Sequence, residues 1–432
     1  MLQDLLDYIA GRSVLILGFA REGRSTHRLI RKYFPDKPLA VADRSEVSLD
    51  DANTRLITGE GYLGCLDDYD LVFKTPGIPF KDVQTRPGTE ISGQVDMFLR
   101  FAPCRVIGVT GTKGKTTTST LIFEILRAAG IGACLIGNMG VPVFDEIETV
   151  EGKTAVVEMS SHQLEFVKAS PHIAVLTNLY PEHLDHYNGY GGYTGAKMNI
   201  GLYQKPDDYL IYYAQTNFEG SPGLAGCKAR RIAVGDDYLP ANSPVLLAAQ
   251  GNERLKGKHH VRDAVMAYAA AGLAGADENA AARAVAAFEG IEHRLEPAGV
   301  KRGIKFYNDS IATAPESVLL NIEAVGDVDT LIAGGEDRGL DLSGFVEGLR
   351  RSGIRNFIGL PDTGHAVGRR LDELGSGITV VLADDMEAAV EAACELTRPS
   401  KSCLLSPAAA SYNRYKSFIE KGRHFKEIVE RL

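Results

Sequence analysis

Short apolar runs that end at glycine or a charged residue recur along the first hundred residues and predict strands. Three such runs are residues 13–18, 39–42 and 71–74, and a helical stretch through His27 and Lys32 follows the first of them. Strands that alternate with helices are typical of a parallel sheet built from βα units. We therefore expect a Rossmann-like N-terminal sheet, whose ligands would lie at the carboxyl ends of its strands.

The same pattern continues through the rest of the chain. Strands are predicted at residues 105–109, 155–158 and 173–178, and an alanine-rich stretch at 260–287 predicts one or two helices. Two further strands are predicted at 330–333 and 402–405. A chain of 432 residues is too long for one hydrophobic core, so several α/β domains are expected.

Composition and net charge limit the cellular compartments and the binding partners to be expected. Apolar residues make up 44% of the chain, and its formal net charge is −9, which disfavours nucleic acid and acidic membranes as partners. No basic signal segment and no apolar run of about 18 residues is present. The six cysteines are far apart, with no Cys-x-x-Cys pair, which favours reduced thiols. We expect a cytoplasmic protein, and a monomer.

A phosphate-binding loop is predicted where the strand at 105–109 runs into a helix. The connecting sequence Thr-Gly-Thr-Lys-Gly-Lys-Thr-Thr-Thr occupies residues 110–118, so backbone N–H groups and the helix dipole would surround a phosphate. Lys115 would reach the transferred phosphoryl group, and the Thr116 hydroxyl would bind magnesium. Val109 stands where the usual motif has glycine, which makes this a variant loop. The alternative is a glycine turn that happens to hold two lysines.

Acidic and imidazole side chains follow the neighbouring predicted strands. Glu158 ends one of them beside the phosphate loop, the position where a magnesium-binding acid is expected. His183 and His186 would suggest a zinc pair if taken alone, but no cysteine or third histidine lies nearby in the sequence. Magnesium and phosphate chemistry is the better interpretation.

The N-terminal sheet carries a weaker nucleotide signal. Gly18 and Gly23 bracket the first turn, but Ala20 replaces the middle glycine of the dinucleotide fingerprint. Two interpretations stay open: a tight turn that lets a helix pack on a strand, or a phosphate resting on the helix N-terminus. Asp43 and the segment that starts at Thr75 end the next two strands.

Seven motifs in order along the chain resemble the signatures of the Mur ligase family. They occupy residues 110–117, 158–165, 178–183, 255–259, 293–296, 308–310 and 405–411. The segments Ser-Ser-His-Gln-Leu-Glu at 160–165 and Ser-Pro-Ala-Ala-Ala-Ser at 406–411 are similar to the branch that joins glutamate to UDP-N-acetylmuramoyl-L-alanine. The resemblance implies three α/β domains: a UDP-substrate domain at 1–102, a central P-loop ATPase-type domain at 103–290, and a Rossmann-like amino-acid-binding domain at 291–432.

The resemblance also implies site residues, by position in this sequence. Catalysis is expected of Lys115, Glu158, His183 and Lys197. ATP would be bound by Gly111, Thr112, Lys113, Gly114, Lys115, Thr116, Thr117, His259, Asp263, Arg294 and Asp309. The UDP substrate would be bound by Gly18, Phe19, Ala20, Arg21, Asp43, Thr75, Pro76, Gly77, Asn138, Gln163 and His183. The amino acid would be bound by Thr313, Arg338, Ser411 and Phe418.

The implied cofactors are ATP and two magnesium ions. The metal ligands would be Thr116, Glu158, His183 and Lys197, with Lys197 carbamylated, because a lysine ammonium cannot bind a cation. The chain departs from the family pattern at four positions. His260 and Asp263 replace two asparagines on the adenosine side, while Ile311 replaces a lysine and Ala314 an asparagine on the amino-acid side.

The expected reaction is an ATP-dependent ligation. The carboxylate of the alanyl substrate would attack the γ-phosphoryl group to give an acyl phosphate, which the amine of the amino acid would then attack. D-Glutamate is the expected amino acid, with L-glutamate the leading alternative because of Ile311. The candidate functions also include a folylpolyglutamate-synthase-like ligase, a dinucleotide oxidoreductase, and a P-loop ATPase that acts as a regulatory or structural partner.

Overall fold

Three sheets organise the chain in the computed structural model. It describes residues 2–80, 83–138, 141–182, 186–187, 189–218, 225–255, 257–337, 342–411 and 413–432, and the side chain of residue 316 is outside the description. Residues 1–289 form one compact unit, which contains two of the sheets, and residues 290–432 form a second unit around the third sheet.

The first sheet is parallel and has five strands in the described part of the chain. Its strands are β1 (Val14–Leu17), β2 (Leu39–Asp43), β3 (Thr54–Thr58), β4 (Leu71–Lys74) and β5 (Glu90–Ser92), in the order β3-β2-β1-β4-β5. Its helices are α1 (Leu2–Ala10), α2 (Arg21–Tyr33) and α3 (Gln94–Phe101), with a 3₁₀ turn at Tyr62–Asp68. The three predicted strands are confirmed. β3 and β5 were not predicted, because one is largely solvent-exposed and the other has only three residues.

The second sheet has six described strands, all parallel. They are β6 (Arg105–Thr110), β7 (Ala133–Gly137), β8 (Thr154–Glu158), β9 (Ile173–Leu176), β10 (Tyr209–Tyr213) and β11 (Arg230–Val234), in the order β11-β10-β9-β6-β8-β7. Its helices are α4 (Lys115–Ala128), α5 (Val143–Glu146), α6 (Ser161–Leu164), α7 (Gly189–Leu202), α8 (Pro244–Gly251), α9 (Lys258–Leu273) and α10 (Glu278–Ala286), with a 3₁₀ turn at Glu253–Leu255.

The structure refines the predicted boundaries of two segments in this part of the chain. The alanine-rich stretch forms two helices, α9 and α10. The strand predicted at 173–178 ends at Leu176, because the next two residues, Thr177 and Asn178, turn to hydrogen-bond with the loop that follows β6.

The third sheet is mixed. Its described strands are β12 (Glu296–Lys301), β13 (Ile304–Asn308), β14 (Val328–Gly335), β15 (Asn356–Asp362), β16 (Thr379–Leu382) and β17 (Ser402–Leu405), in the order β12-β13-β17-β14-β15-β16. Only the β12–β13 pair among them is antiparallel. Its helices are α11 (Pro315–Val325), α12 (Ser343–Arg351), α13 (Thr363–Glu373), α14 (Met386–Leu396) and α15 (Phe418–Arg431).

The predicted fold class of three α/β domains is confirmed, with one domain around each sheet. The first two domains form a single compact unit because they share a core, in which Leu5 and Phe98 pack in the same cluster as Val106 and Ala174. The ranges 1–102, 103–290 and 291–432 remain predictions. Among the described helices, none is both long enough and apolar enough to span a membrane.

Glycines allow α13 to approach the third sheet closely. A Cβ on Gly364 would overlap the carbonyl oxygen of Ala333 in β14, and a Cβ on Gly359 in β15 would lie 2.5 Å from the carbonyl oxygen of Gly364. Backbone atoms cannot move aside as a flexible side chain can. Gly364 is therefore needed where the chain passes the carboxyl ends of β14 and β15.

We predict that Gly364→Ala lowers the stability of the C-terminal unit by about 1–3 kcal/mol, because the added methyl group overpacks against backbone. Gly344→Ala is the matched control: it lies on exposed helix α12 with open space around its Cβ position, so it should stabilise by about 0.5–1 kcal/mol. Urea unfolding of the full chain, followed by circular dichroism, measures both. Equal midpoints for the two variants would contradict the packing argument.

Candidate functional site

The loop between β6 and α4 is held in shape by two side chains that follow β9. Gly111 has φ +148°, and a Cβ there would overlap Thr177 Oγ1, so only glycine fits. Thr177 Oγ1 donates to the Lys113 carbonyl oxygen at 2.6 Å. Asn178 accepts from the Lys113 N–H and donates to the Lys113 carbonyl, both at 2.9 Å. These bonds fix a loop whose remaining N–H groups precede an α-helix, as a phosphate site requires.

Helix α7 is joined to the same loop. The hydroxyl groups of Thr112 and Tyr193 lie 2.9 Å apart, and Thr112 Oγ1 also accepts from the Tyr180 N–H at 2.9 Å. Tyr193 is fully buried, and burial raises the pKa of its phenol well above the ordinary value. This contact positions α7 so that Lys197, one turn later, points at the loop.

Two lysine amines converge on one carbonyl of the loop. Lys115 Nζ lies 3.0 Å from the Gly111 carbonyl oxygen, and Lys197 Nζ lies 2.8 Å from the same oxygen. Lys197 is only 2% exposed. Burial, and next the positive charge of Lys115, lower the pKa of Lys197 well below its ordinary value. A neutral amine is the form that reacts with CO2, so this environment fits a carbamate.

Glu158 presents an unsatisfied carboxylate oxygen at the carboxyl end of β8. The residue is 1% exposed, and its Oε1 accepts from Asn138 Nδ2 at 2.8 Å. Its Oε2 is buried and has no hydrogen-bond partner among the described residues. A buried carboxylate oxygen without a donor is costly, and a magnesium ion would satisfy it. Neither here nor in any other part of the described chain do three His, Cys, Asp or Glu side chains come together to hold a metal.

Two predicted site residues, His183 and Arg338, lie outside the described residues. The second histidine of the supposed zinc pair, His186, is described: its Nε2 is 3.5 Å from Glu165 Oε2, and its ring packs 4.2 Å from that of His162. His186 therefore interacts with a carboxylate and an aromatic ring.

The predicted UDP-substrate residues meet at the carboxyl edge of the first sheet. The Phe19 N–H donates to Asp43 Oδ2 at 2.7 Å, and a Cβ on Gly18 would overlap Thr75 Oγ1. Helix α2 begins after Ala20, which offers no side-chain cap, so its first N–H groups are available to an anion. Pro76 and Gly77 continue from Thr75 along the more exposed rim.

The same edge contacts the central domain. Arg21 Nη2 donates to the Asn138 carbonyl at 2.8 Å, and Gln163 Nε2 donates to Glu22 Oε1 at 2.7 Å. The sequence analysis did not single out Glu22, a carboxylate whose pKa is raised by burial. The predicted substrate residues Asn138 and Gln163 are thus brought to the first sheet, and Asn138 also reaches Glu158.

The second unit contains two of the predicted ATP-binding residues, Asp309 and Arg294. Asp309 is buried after β13 and accepts from Ser406 Oγ and Asn321 Nδ2, both at 2.6 Å. Burial raises its pKa to about 6, although these hydrogen bonds and the charge of Arg294 act in the opposite direction. Arg294 is itself exposed.

The predicted amino-acid residues are also described in this unit, apart from Arg338. Ser411 Oγ is buried without a hydrogen-bond partner within the described residues, while Thr313 is exposed. Phe418 packs edge-to-face on His293, with ring centroids 5.9 Å apart. A buried, unsatisfied hydroxyl is suited to a polar ligand.

Asp263 lies directly against the phosphate loop. It is 2% exposed, and its Oδ1 would be 2.6 Å from a Cβ on Gly114, whose φ is +84°. Burial raises the pKa of Asp263, and His260 Nδ1, 3.6 Å from Asp263 Oδ2, acts in the opposite direction. Next to them, His259 is exposed, and partial desolvation of its ring lowers its pKa.

Comparison with known proteins agrees with this geometry. Residues 109–234 match the family model of the Mur ligase middle domain. A UDP-N-acetylmuramoylalanine--D-glutamate ligase of Symbiobacterium thermophilum is 38% identical over 403 residues, 87% of each chain. A ligase of the same name from Clostridium botulinum is 30% identical over 99% of this chain and 98% of its own. The chain belongs to the Mur ligase family.

Solved structures of Mur ligases share the fold. MurF from Acinetobacter baumannii superposes with a TM-score of 0.59 at 16% identity and covers 98% of each chain. The structure of this Mur ligase adds residues that sequence reasoning missed, above all Thr177, which shapes the loop. Its position directly after a strand next to the loop strand was a usable signal, because carboxyl ends of adjacent parallel strands meet at one edge.

We predict that Asp263→Asn stabilises this Mur ligase increasingly as the pH rises. The folded-state pKa of Asp263 is raised above its ordinary value of 3.8, so above that pH the unfolded chain loses the proton more readily and folded stability falls. Asparagine has no proton to lose. The apparent melting temperature at pH 4, 5.5 and 7 should show a difference between variant and parent that grows with pH.

Asp236→Asn, at an exposed position of the same unit, is the control and should give the same small difference at every pH. A pH-independent difference for Asp263→Asn would contradict the assigned burial of a proton-binding carboxyl group.

Proposed function

We propose that the chain is an ATP-dependent ligase that joins D-glutamate to UDP-N-acetylmuramoyl-L-alanine through an acyl phosphate, in peptidoglycan precursor synthesis. The observation that carries the proposal is the convergence of Lys115 and Lys197 on the Gly111 carbonyl. The carboxylate of Glu158 is close enough for its charge to raise the pKa of Lys197. Amines and a buried carboxylate at a phosphate loop support phosphoryl transfer to an acid.

The loop and Lys115 act on the phosphates of ATP. The N–H groups at the start of α4 point toward bound phosphate, and Lys115 exchanges its bonds to loop carbonyls for bonds to the γ-phosphoryl group. That group transfers to the carboxylate of the alanyl substrate, which lies near Asn138. One preorganised electrostatic donor in such a site commonly lowers a barrier by about 3–4 kcal/mol. Lys115 is therefore the residue whose loss should cost the most activity.

Thr116, Glu158, His183 and carbamylated Lys197 would hold two magnesium ions. Bound magnesium supplies positive charge that neutralises the transferring phosphoryl group and its leaving group. The chain's own contribution is to keep Glu158 and Lys197 buried, so that the carboxylate and a carbamate on Lys197 would offer oxygen donors where little water competes. His183 would also face the alanyl end of the substrate.

The predicted substrate-binding residues are distributed over the three ranges. The range 1–102 would hold the uridine diphosphate at Gly18 to Arg21, Asp43 and Thr75 to Gly77. The range 103–290 would hold ATP at the loop, His259 and Asp263. Within the range 291–432, Arg294 and Asp309 are proposed to bind ATP, and Thr313, Arg338, Ser411 and Phe418 to bind glutamate. We propose a cytoplasmic monomer whose partners are these small molecules, since the net charge of −9 does not suit nucleic acid or acidic membrane.

The relatives that are named as D-glutamate ligases favour D-glutamate over L-glutamate as the substrate. L-Glutamate stays a second candidate because Ile311 offers no charge to a carboxylate, and the orientation of the two carboxylates decides which enantiomer places its amine for attack. Running both enantiomers separately distinguishes the two.

We predict phosphate release that requires ATP, UDP-N-acetylmuramoyl-L-alanine and D-glutamate together, with a ligated product found by mass spectrometry. Lys115→Ala should lower turnover by at least about 100-fold, because it removes the charge nearest the transferred group. Lys228→Ala, at an exposed position, should retain full activity. Product with L-glutamate alone would reverse the stereochemical assignment, and phosphate release without any amino acid would favour an ATPase.

We predict that Lys197→Ala is nearly inactive and partly recovers with acetate, which replaces the missing carboxylate of the carbamate. The physical reason is that burial lowers the pKa of the amine and so favours the neutral form, which reacts with CO2. Isotope-labelled CO2 should give the parent, but not the variant, one carbamate signal by carbon NMR. Full activity of Lys197→Ala in CO2-depleted buffer would rule the carbamate out.

A further inference from the structure

Helix α15 carries a buried lysine that none of the assigned roles uses. Lys421 is 2% exposed, and its Nζ donates to the Gly334 carbonyl oxygen at 2.7 Å. Among the described residues no carboxylate lies within ion-pair distance of it. Burial alone lowers its pKa, to about 8. A buried ammonium without a counter-ion is unusual, because buried charges are normally paired.

The amine of Lys421 lines a cavity of about 210 Å³ within the C-terminal unit. The cavity lies at the carboxyl ends of three parallel strands: Gly335 ends β14, Leu360 lies near the end of β15, and Asp384 follows β16. The carboxyl edge is where sheets of this type bind ligands. An unpaired buried cation at that edge is suited to an anionic ligand.

Some walls of the cavity belong to chain segments that also carry predicted amino-acid-binding residues. Gly334 leads along the chain to Arg338, and the wall residue Asn413 follows Ser411 by two positions. Two backbone bonds join these segments: Gly334 N–H to the Pro407 carbonyl and Glu336 N–H to the Ala410 carbonyl, both at 2.8 Å. Phe418 lies one turn before Lys421 on α15, which places both on one side of the helix.

The charges of glutamate and of the residues predicted to bind it point to a ligand for the cavity. Glutamate brings two carboxylates, whereas the side chain of Ile311 is neutral and Arg338 supplies a single guanidinium. We propose that Lys421 binds one carboxylate of the incoming glutamate and thereby helps to select a dicarboxylic amino acid. This inference rests on the proposed ligase function, and it concerns a residue to which that function assigns no role.

Other charged groups around the cavity do not neutralise Lys421. Asp384 and Asp385 are exposed, and Asp385 caps α14 by accepting from the Ala388 N–H at 2.8 Å. His424 is bonded on one side to the Tyr415 hydroxyl and on the other to Glu387, both at 2.9 Å. Arg414 is exposed at the rim. Solvent screens exposed charges far more than buried ones, so Lys421 dominates inside the cavity.

The first test is Lys421→Met, which keeps an unbranched apolar stem, one atom shorter than lysine, but removes the charge. KM for glutamate should rise about 10- to 100-fold, the loss expected of one charge-assisted hydrogen bond. We expect kcat to change less than threefold and KM for ATP and for the UDP substrate to stay unchanged. Lys416→Met, at an exposed position five residues earlier, is the control and should leave every constant unchanged.

An unchanged KM for glutamate in Lys421→Met would overturn the inference while the proposed function stands. A fall in kcat together with a rise in all three KM values would also overturn it, since that pattern indicates a structural role. If the parent enzyme uses no glutamate, both the inference and the proposed function fail.

The second test needs no folded variant, because it uses the pH dependence of the parent enzyme. Binding a carboxylate requires the ammonium form, so KM for glutamate should increase as the pH rises through about 8 and continue to increase above it. Lys421→Met, where it folds, should lack this increase, while titration of glutamate's own amine affects both proteins equally. A parent KM that stays flat from pH 7 to 9 would overturn the inference.

Discussion

The active centre depends on the conformation of one glycine, Gly111. Its carbonyl oxygen accepts from both Lys115 and Lys197, and its missing Cβ leaves room for the Thr177 hydroxyl. Any side chain there would displace Thr177, release the Lys113 carbonyl and alter the path of the loop. Strand β9, helix α7 and the helix that follows the loop are therefore coupled through a single backbone position, which brings distant segments of the sequence to one loop.

The same arrangement creates an electrostatic conflict that the chemistry can resolve. Two ammonium groups on one carbonyl repel each other, and burial adds a further penalty for the charge on Lys197. Both effects lower the pKa of Lys197 well below its ordinary value, which favours one cation and one neutral, reactive amine over two ammonium groups. Carbamylation would complete the change by turning that amine into an anion. That anion and Glu158, whose buried Oε2 lacks a donor within the described chain, would then both require a cation between them.

Features that depend on residues adjacent in the chain could be predicted from the sequence. The buried strands and the loop at 110–118 were found because apolar runs, glycines and hydroxyls are adjacent in the chain. Edge strands such as β3 escaped prediction, because a strand exposed to solvent lacks the apolar signature. The burial of side chains by distant parts of the chain could not be predicted either. Nothing beside Asp263 in the sequence shows that it packs on Gly114, and nothing beside Lys421 shows that this lysine is buried on α15. His183 and Arg338 lie outside the described residues, so their predicted roles rest on the family resemblance.

The departures from the family pattern concern charge more than shape. Asp263 places a carboxyl group against the loop that binds phosphate, and burial raises its pKa, which favours the neutral form that an incoming anion tolerates. On the amino-acid side Ile311 carries no charge, while Lys421 holds an unpaired ammonium at the edge of the third sheet. If Lys421 binds glutamate as proposed, the positive charge that Ile311 lacks is supplied by a different element of the same unit. Burial makes such changes effective, since a charge at the surface would be screened by solvent and would discriminate little between ligands.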